Sequence, residues 1–365
     1  MTRRAARLAR DLAAAEAEPL AHAITGEALR RAEAMLAGIE AYHAHPYRRS
    51  LRDPPVVWRA GTTRLLDFGA RRRAREDMTP VLFVPSLINR SYILDLSRRR
   101  SLLRHLASRG LRPFLVDWGA PGEDERRFTL DDYILRRLAP ALDTVIATAG
   151  RPPVLVGYCM GGLLALALAL GRARDLRGLA LLATPWDFHA DDATVPRLLA
   201  TMGPWLDALA AEGALFPVDL LQAMFTWAEP ALVADKFRAF ARLDPESRAA
   251  EDFVALEDWL NDGVPLAGAV ARACIVGWYG ENTPANGAWR VAGEPVRPEA
   301  LALPALVVVP GRDRIVPPAS AAALAEAIPG ALRHDPRAGH VGMIVGGAAR
   351  RALWGPLGDW LAARG

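Results

Sequence analysis

Residues 153–162 read Pro153-Val154-Leu155-Val156-Gly157-Tyr158-Cys159-Met160-Gly161-Gly162, and this stretch decides the fold. Val154 to Val156 form a short apolar run suited to a buried strand, while Leu163 to Leu170 are apolar and lack β-branched residues, which suits a helix. Between them stands a Gly-x-Cys-x-Gly pentad, a strained turn that lifts a nucleophile clear of a sheet. Gly157 and Gly161 remove side chains where strand and helix pass close together. The Met160 backbone N–H falls at the helix start, where it can stabilise a developing oxyanion. The alternative, a buried structural cysteine, requires both glycines and both flanking elements to be coincidental.

On either side of this turn the chain alternates short apolar runs with helices, as in a parallel α/β sheet. Strands are expected at 56–58, 64–68, 81–85, 113–117, 154–158, 179–183, 305–309 and 332–334. Helices are expected at 101–108, 130–148, 161–170, 319–327 and 348–363. In the second of these, Leu130, Ile134, Leu138, Leu142 and Val145 share one face, Thr129 can cap with Asp132, and Pro140 predicts a kink.

Residues 1–46 are rich in alanine and arginine, with helical spacing through Leu8, Leu12, Leu20 and Ile24. They predict a helical arm, bounded at residue 52, that packs on the body or on a partner. The core then occupies 53–186 and 301–365. The intervening 187–300 lacks strand alternation, and the stretch from Trp186 onward holds six of the ten tryptophans: Trp186, Trp205, Trp227, Trp259, Trp278 and Trp289. An insertion late in such a sheet lies where a lid over an active site belongs. Most of its tryptophans are expected in a helical core, with one or two lining a substrate channel.

The 52% hydrophobic composition excludes wholesale disorder. With only Cys159 and Cys274, a disulfide framework is excluded and a reducing, cytoplasmic setting is expected. The longest apolar stretch is too short to span a bilayer. The pI near 9.4 invites a nucleic-acid reading, but the formal net charge is only +4 and Lys236 is the single lysine among scattered arginines. The tightest cluster, Arg71, Arg72, Arg73 and Arg75, reads as a solvated turn between strands. No residue cluster has metal-ligand spacing, and no nucleotide-binding glycine pattern is present, so neither metal nor cofactor is expected.

A cysteine nucleophile needs a base, and the base needs an orienting partner. In enzymes built around such an elbow, the chain order is nucleophile, acid, histidine. Of the downstream histidines, His340 lies in the glycine-flanked turn Ala338-Gly339-His340-Val341-Gly342, whereas His334 falls within a strand and His189 comes too early. Asp313, on the loop after the strand at 305–309, is the candidate acid; Asp335 is the rival, and a helix cap is the plainer role for Asp313. The second oxyanion donor belongs to the loop after 81–85, with the Ile88 N–H as candidate and Leu87 not separable from it.

Taken in order, these segments resemble the polyhydroxyalkanoate synthases, most closely the short, two-component class III type. The similarity runs through Val84-Pro85-Ser86-Leu87-Ile88-Asn89-Arg90 to Leu94-Asp95-Leu96, Val116-Asp117-Trp118-Gly119, and Thr129 to Tyr133. It continues through the cysteine box at 157–162, Thr184-Pro185-Trp186-Asp187-Phe188, Asp313 to Pro317, and Gly339 to Gly342. The resemblance covers roughly residues 53–365 and implies an α/β-hydrolase fold with a mostly parallel central sheet and a large, mainly helical lid insertion. It implies polymerisation of (R)-3-hydroxyacyl-CoA into a storage polyester, with coenzyme A released as the leaving group rather than held as a cofactor. Cys159, His340 and Asp313 would form the triad. A non-catalytic synthase subunit, a homodimer and a place at the polyester granule surface are further implications. The competing readings are a cysteine-nucleophile hydrolase (a thioesterase, or an esterase like dienelactone hydrolase) and a non-enzymatic fold kept as a binding surface.

Overall fold

The computed structural model describes residues 3–14, 16–70, 78–191, 194–228 and 230–365. The arginine cluster at 71–75 lies outside the described residues. The chain forms two compact units, one of residues 1–48 with 226–255, the other of 49–225 with 256–365.

The second unit is built on an eight-stranded sheet. Its strands are β1 (Val56–Ala60), β2 (Thr63–Asp67), β3 (Thr79–Val84), β4 (Leu111–Asp117), β5 (Val154–Tyr158), β6 (Gly178–Leu182), β7 (Ala305–Val308) and β8 (Leu332–His334). Their spatial order is β1-β2-β4-β3-β5-β6-β7-β8. β1 pairs antiparallel with β2, and β2 with β4, while every later pairing is parallel. All eight expected strands are present, with ends shifted by at most two residues. Val81, Leu82, Phe83 and Val84 are all fully buried, because crossover helices cover both faces of a parallel sheet. Burying each such side chain contributes roughly 1.5–3 kcal/mol.

The helix expected over 130–148 runs from Leu130 to Ala149, and Thr129 and Asp132 form the capping box. Its irregularity lies one turn earlier than expected: Ile134–Leu138 is a π-helical turn, and Pro140 opens the following α-helix, Ala139–Ala149. Proline lacks an N–H and crowds the carbonyl four residues back, and a widened turn ahead of it relieves both. The C-terminal helix is likewise divided, into a π-turn at Arg350–Trp354 and an α-helix at Gly355–Ala362.

The span after β6 is mainly helical, with two ladders of two-residue strands, Leu215–Phe216 with Leu266–Ala267 and Arg290–Val291 with Glu294–Pro295. Strands this short leave no alternation to detect. Trp186, Trp259, Trp278 and Trp289 are buried, whereas Trp205 is 42% exposed; the side chain of Trp227 lies outside the described part.

In the first unit, helices Arg3–Ala14 and Ala17–Ala44 make up the arm. Its expected apolar stripe is not the buried face, since Leu8, Leu12 and Ile24 are all exposed. The packing face is further along, where Gly38 lies against the Phe237 backbone of helix Pro230–Phe240 and Tyr42 meets the Phe237 ring at 5.9 Å. Phe240 stacks on Phe253 at 4.3 Å beside buried Ala250 and Val254. Among the described residues, no helix is long and apolar enough to cross a membrane.

Candidate active site

β5 ends at Tyr158, and Cys159 follows in a left-handed conformation, φ +56° and ψ −131°. For a residue with a Cβ this is strained backbone, held here from several sides. The Cys159 N–H donates to the Leu182 carbonyl at 2.9 Å, and its carbonyl accepts from the Gly162 N–H at 2.9 Å. A Cβ on Gly157 would collide with Gly162, and one on Gly161 with the Val84 and Pro85 carbonyls. The pentad glycines therefore let helix Met160–Gly171 start directly against β5 and β3.

The acid and the histidine arrive on the loops after β7 and β8, at the same carboxyl end of the sheet as Cys159. His340 Nδ1 and Asp313 Oδ2 are 2.7 Å apart, both side chains buried. The other oxygen, Asp313 Oδ1, accepts from the Ile315 and Val316 N–H groups at 2.9 Å each, which fixes the carboxylate's orientation. The Tyr158 ring stacks on the imidazole at 5.1 Å, and its hydroxyl donates to the His340 carbonyl at 3.3 Å. The Cys159 side chain acts electrostatically on the His340 ring, so the two lie side by side. Cys159, Asp313 and His340, far apart in the sequence, are thus brought together at one end of the sheet.

The rivals are occupied elsewhere. His334 Nε2 meets the Ala352 carbonyl at 2.6 Å, His189 Nε2 meets the Tyr279 carbonyl at 2.7 Å, and Asp335 pairs with Arg333.

Electrostatics shift both His340 and the second cysteine, Cys274. Burial alone would lower the His340 pKa, but the Cys159 charge and then the bonds to Asp313 and Cys159 push it up to about 10. Burial first, and the Cys159 charge second, push the Cys274 thiol well above the ordinary value. The surroundings thus favour the neutral form of Cys274 and the cationic form of His340.

On the loop after β3, the Ile88 N–H donates to Ser86 Oγ at 3.0 Å. Trp118 Nε1 donates to the Pro85 carbonyl at 3.0 Å, anchoring the loop where it leaves the sheet. Tyr279 escaped the sequence reading. Burial raises its phenol pKa first, with the charges of Cys159, Cys274 and Asp313 adding to the effect, so it borders the site. Its ring meets Phe188 edge-on at 4.8 Å, and Phe188 stacks on Trp278 at 6.0 Å. The available signal was its place in the apolar run at 273–280, which forms a π-helix, a feature frequent at functional sites. Among the described residues, no group of three or more His, Cys, Asp or Glu could hold a metal ion.

An elbow, an acid and a histidine on the carboxyl ends of β5, β7 and β8, in a sheet of this order, define a class. The family model of the alpha/beta hydrolase fold matches residues 79–347, and the chain belongs to that family. Two solved structures share the fold: a putative non-heme bromoperoxidase from Mycobacterium tuberculosis H37Rv and a monoacylglycerol lipase from Paleococcus ferrophilus. The first has TM-score 0.53 and 16% identity over 87% of this chain and 100% of its own. The second has TM-score 0.52 and 17% identity over 82% of this chain and 98% of its own.

Within the family, the sequence relatives are polyester polymerases. The model of the poly-beta-hydroxybutyrate polymerase (PhaC) N-terminus matches residues 51–106. The poly(3-hydroxyalkanoate) polymerase subunit PhaC of Haloferax mediterranei is 30% identical over 85% of this chain and 63% of its own length. That of Allochromatium vinosum is 28% identical over 78% of this chain and 81% of its own length. The chain thus spans under two thirds of the first relative and about four fifths of the second.

Proposed function

We propose that the chain is an acyltransferase that polymerises (R)-3-hydroxyacyl-CoA into polyhydroxyalkanoate through a covalent acyl-cysteine on Cys159. The observation that carries this reading is the His340–Asp313 bond beside the Cys159 elbow in a chain related to polymerases along most of its length.

The electrostatics suggest how one histidine serves both halves of the reaction. In this reading the reaction starts from a Cys159 thiolate beside a His340 imidazolium, and Asp313 holds the ring. The thiolate attacks the substrate thioester carbonyl, with the Met160 N–H and a donor from the loop after β3 bearing the oxyanion. Collapse expels the coenzyme A thiolate, which takes the His340 proton and leaves as free thiol. Acylation erases the Cys159 charge, the strongest influence raising the His340 pKa, so the imidazole is left neutral and basic. It then removes the proton of an incoming 3-hydroxyl, whose oxygen attacks the acyl-cysteine. The ester forms, the thiolate returns, and His340 is again protonated. An Ile88 donor would exchange its bond to Ser86 for one to substrate; Leu87 is the alternative on the same loop.

No cofactor enters this cycle. The aromatic group Phe188, Trp278 and Tyr279 supplies apolar cover that favours a hydroxyl over water as acceptor. The relatives are named as subunits, which supports a non-catalytic partner for this chain. The test is to supply (R)-3-hydroxybutyryl-CoA and identify the acyl product by mass. Oligomeric ester is expected; free hydroxy acid as the sole product would make the protein a thioesterase.

A further inference from the structure

The loop at 85–91 is tied at both ends by indole N–H groups. Trp118 holds the Pro85 carbonyl at the exit of β3. At the far end, Trp259 Nε1 donates to the Arg90 carbonyl at 2.8 Å, and the Arg90 side chain donates to Asp262 Oδ1 at 3.1 Å. Trp259 and Asp262 belong to the late insertion, on and just beyond the end of helix Arg248–Asn261. Trp259 is buried, so its bond to Arg90 is shielded from water. Between the two ties, Asn89 adopts φ +67°, a left-handed residue that needs its neighbours fixed. Gly161 at the elbow abuts the Val84 and Pro85 carbonyls, so a shift in this loop changes the space over Cys159 directly.

We propose that Trp259 and Asp262 are positioning residues through which the insertion sets the oxyanion-binding loop. They hold the Arg90 carbonyl and guanidinium, and through them the Leu87 and Ile88 N–H groups. The inference rests on the proposed role of Cys159 in acyl transfer, but not on the polyester product. A donor displaced by a fraction of an ångström stabilises an oxyanion poorly, while a reaction with no oxyanion is untouched.

The test compares two reactions of Cys159 in the full chain. Acylation by p-nitrophenyl acetate passes through a tetrahedral oxyanion, whereas alkylation by iodoacetamide is a direct displacement and does not. Trp259→Phe keeps most of the bulk and deletes the N–H; Asp262→Asn keeps the shape and removes the charge. For Trp259→Phe the burst rate of acylation is expected to fall roughly tenfold, with the alkylation rate within about twofold of wild type. Asp262→Asn should lower acylation by a smaller factor in the same direction, and serves alone if Trp259→Phe does not fold. Equal losses in both reactions would mark a general structural role and overturn the proposal, as would unchanged acylation in both variants. A wild-type acylation-to-alkylation ratio no higher than that of free glutathione would also overturn it, because there would be no oxyanion site to position. Failure of the polymerase reading shows separately, as absence of oligoester from a wild type that still acylates.

Discussion

In the proposed cycle His340 concentrates the chemistry in one side chain. Its pKa near 10 lies above the ordinary histidine value, chiefly through the Cys159 charge, so Cys159→Ser should move the ring titration downward, read from imidazole NMR shifts. A raised folded-state pKa stabilises the fold fully below about pH 6.5, and this contribution is lost as pH rises through about 10. Wild-type stability should therefore fall across that window and His340→Gln should flatten the fall, measured by urea midpoints at several pH values. His340→Gln should also slow coenzyme A release by roughly 10²–10⁴-fold. Iodoacetamide should modify Cys159 far faster than Cys274, whose burial keeps its thiol protonated; equal slow labelling of the two would contradict an activated Cys159. The meeting of the three residues was legible in the sequence because each sits in a short motif with its own place in the strand order. The bond from the Ile88 N–H to Ser86 was not, since it depends on which way one hydroxyl turns.

Buried charge and helix irregularity meet where the segment after β4 turns into helix Leu130–Ala149. Glu125 Oε1 accepts from Arg137 at 2.8 Å and from the Thr62 N–H at 3.1 Å, and Glu125 Oε2 accepts from the Gly122 N–H at 3.2 Å. The two side chains are 2% and 8% exposed. Arg137 sits on the π-turn Ile134–Leu138, so the widened turn carries the guanidinium that answers Glu125. Glu125→Ala leaves that arginine buried without its carboxylate and should cost about 3–5 kcal/mol in chemical denaturation. A loss under 1 kcal/mol would show that solvent reaches the pair. Hydrophobic spacing revealed this helix and its cap, as it revealed every strand of the sheet, because a buried parallel strand is a short apolar run. It did not reveal the π-turn, because Ile134 and Leu138 point to the core with or without one extra residue per turn.

At the scale of the molecule, the arm and residues 226–255 form one compact unit although some 180 residues separate them. Spacing along the arm pointed to Leu8, Leu12 and Ile24, but the contact surface is Gly38 and Tyr42, a small residue and an aromatic whose pairing becomes visible only once Phe237 lies opposite. Deleting residues 1–48 should uncover Phe237 and Phe240, raising dye binding by apolar surface and lowering the thermal midpoint; an unchanged midpoint would mean this unit does not depend on the arm. The sheet, by contrast, brings Cys159, Asp313 and His340 together from three strand ends. The most direct measurement is an intact-mass and peptide-mapping experiment on protein quenched seconds after mixing with (R)-3-hydroxybutyryl-CoA. A hydroxybutyryl or oligoester adduct on Cys159, matched by released coenzyme A and absent from Cys159→Ala, is the predicted result. Coenzyme A release that persists undiminished in Cys159→Ala would contradict it.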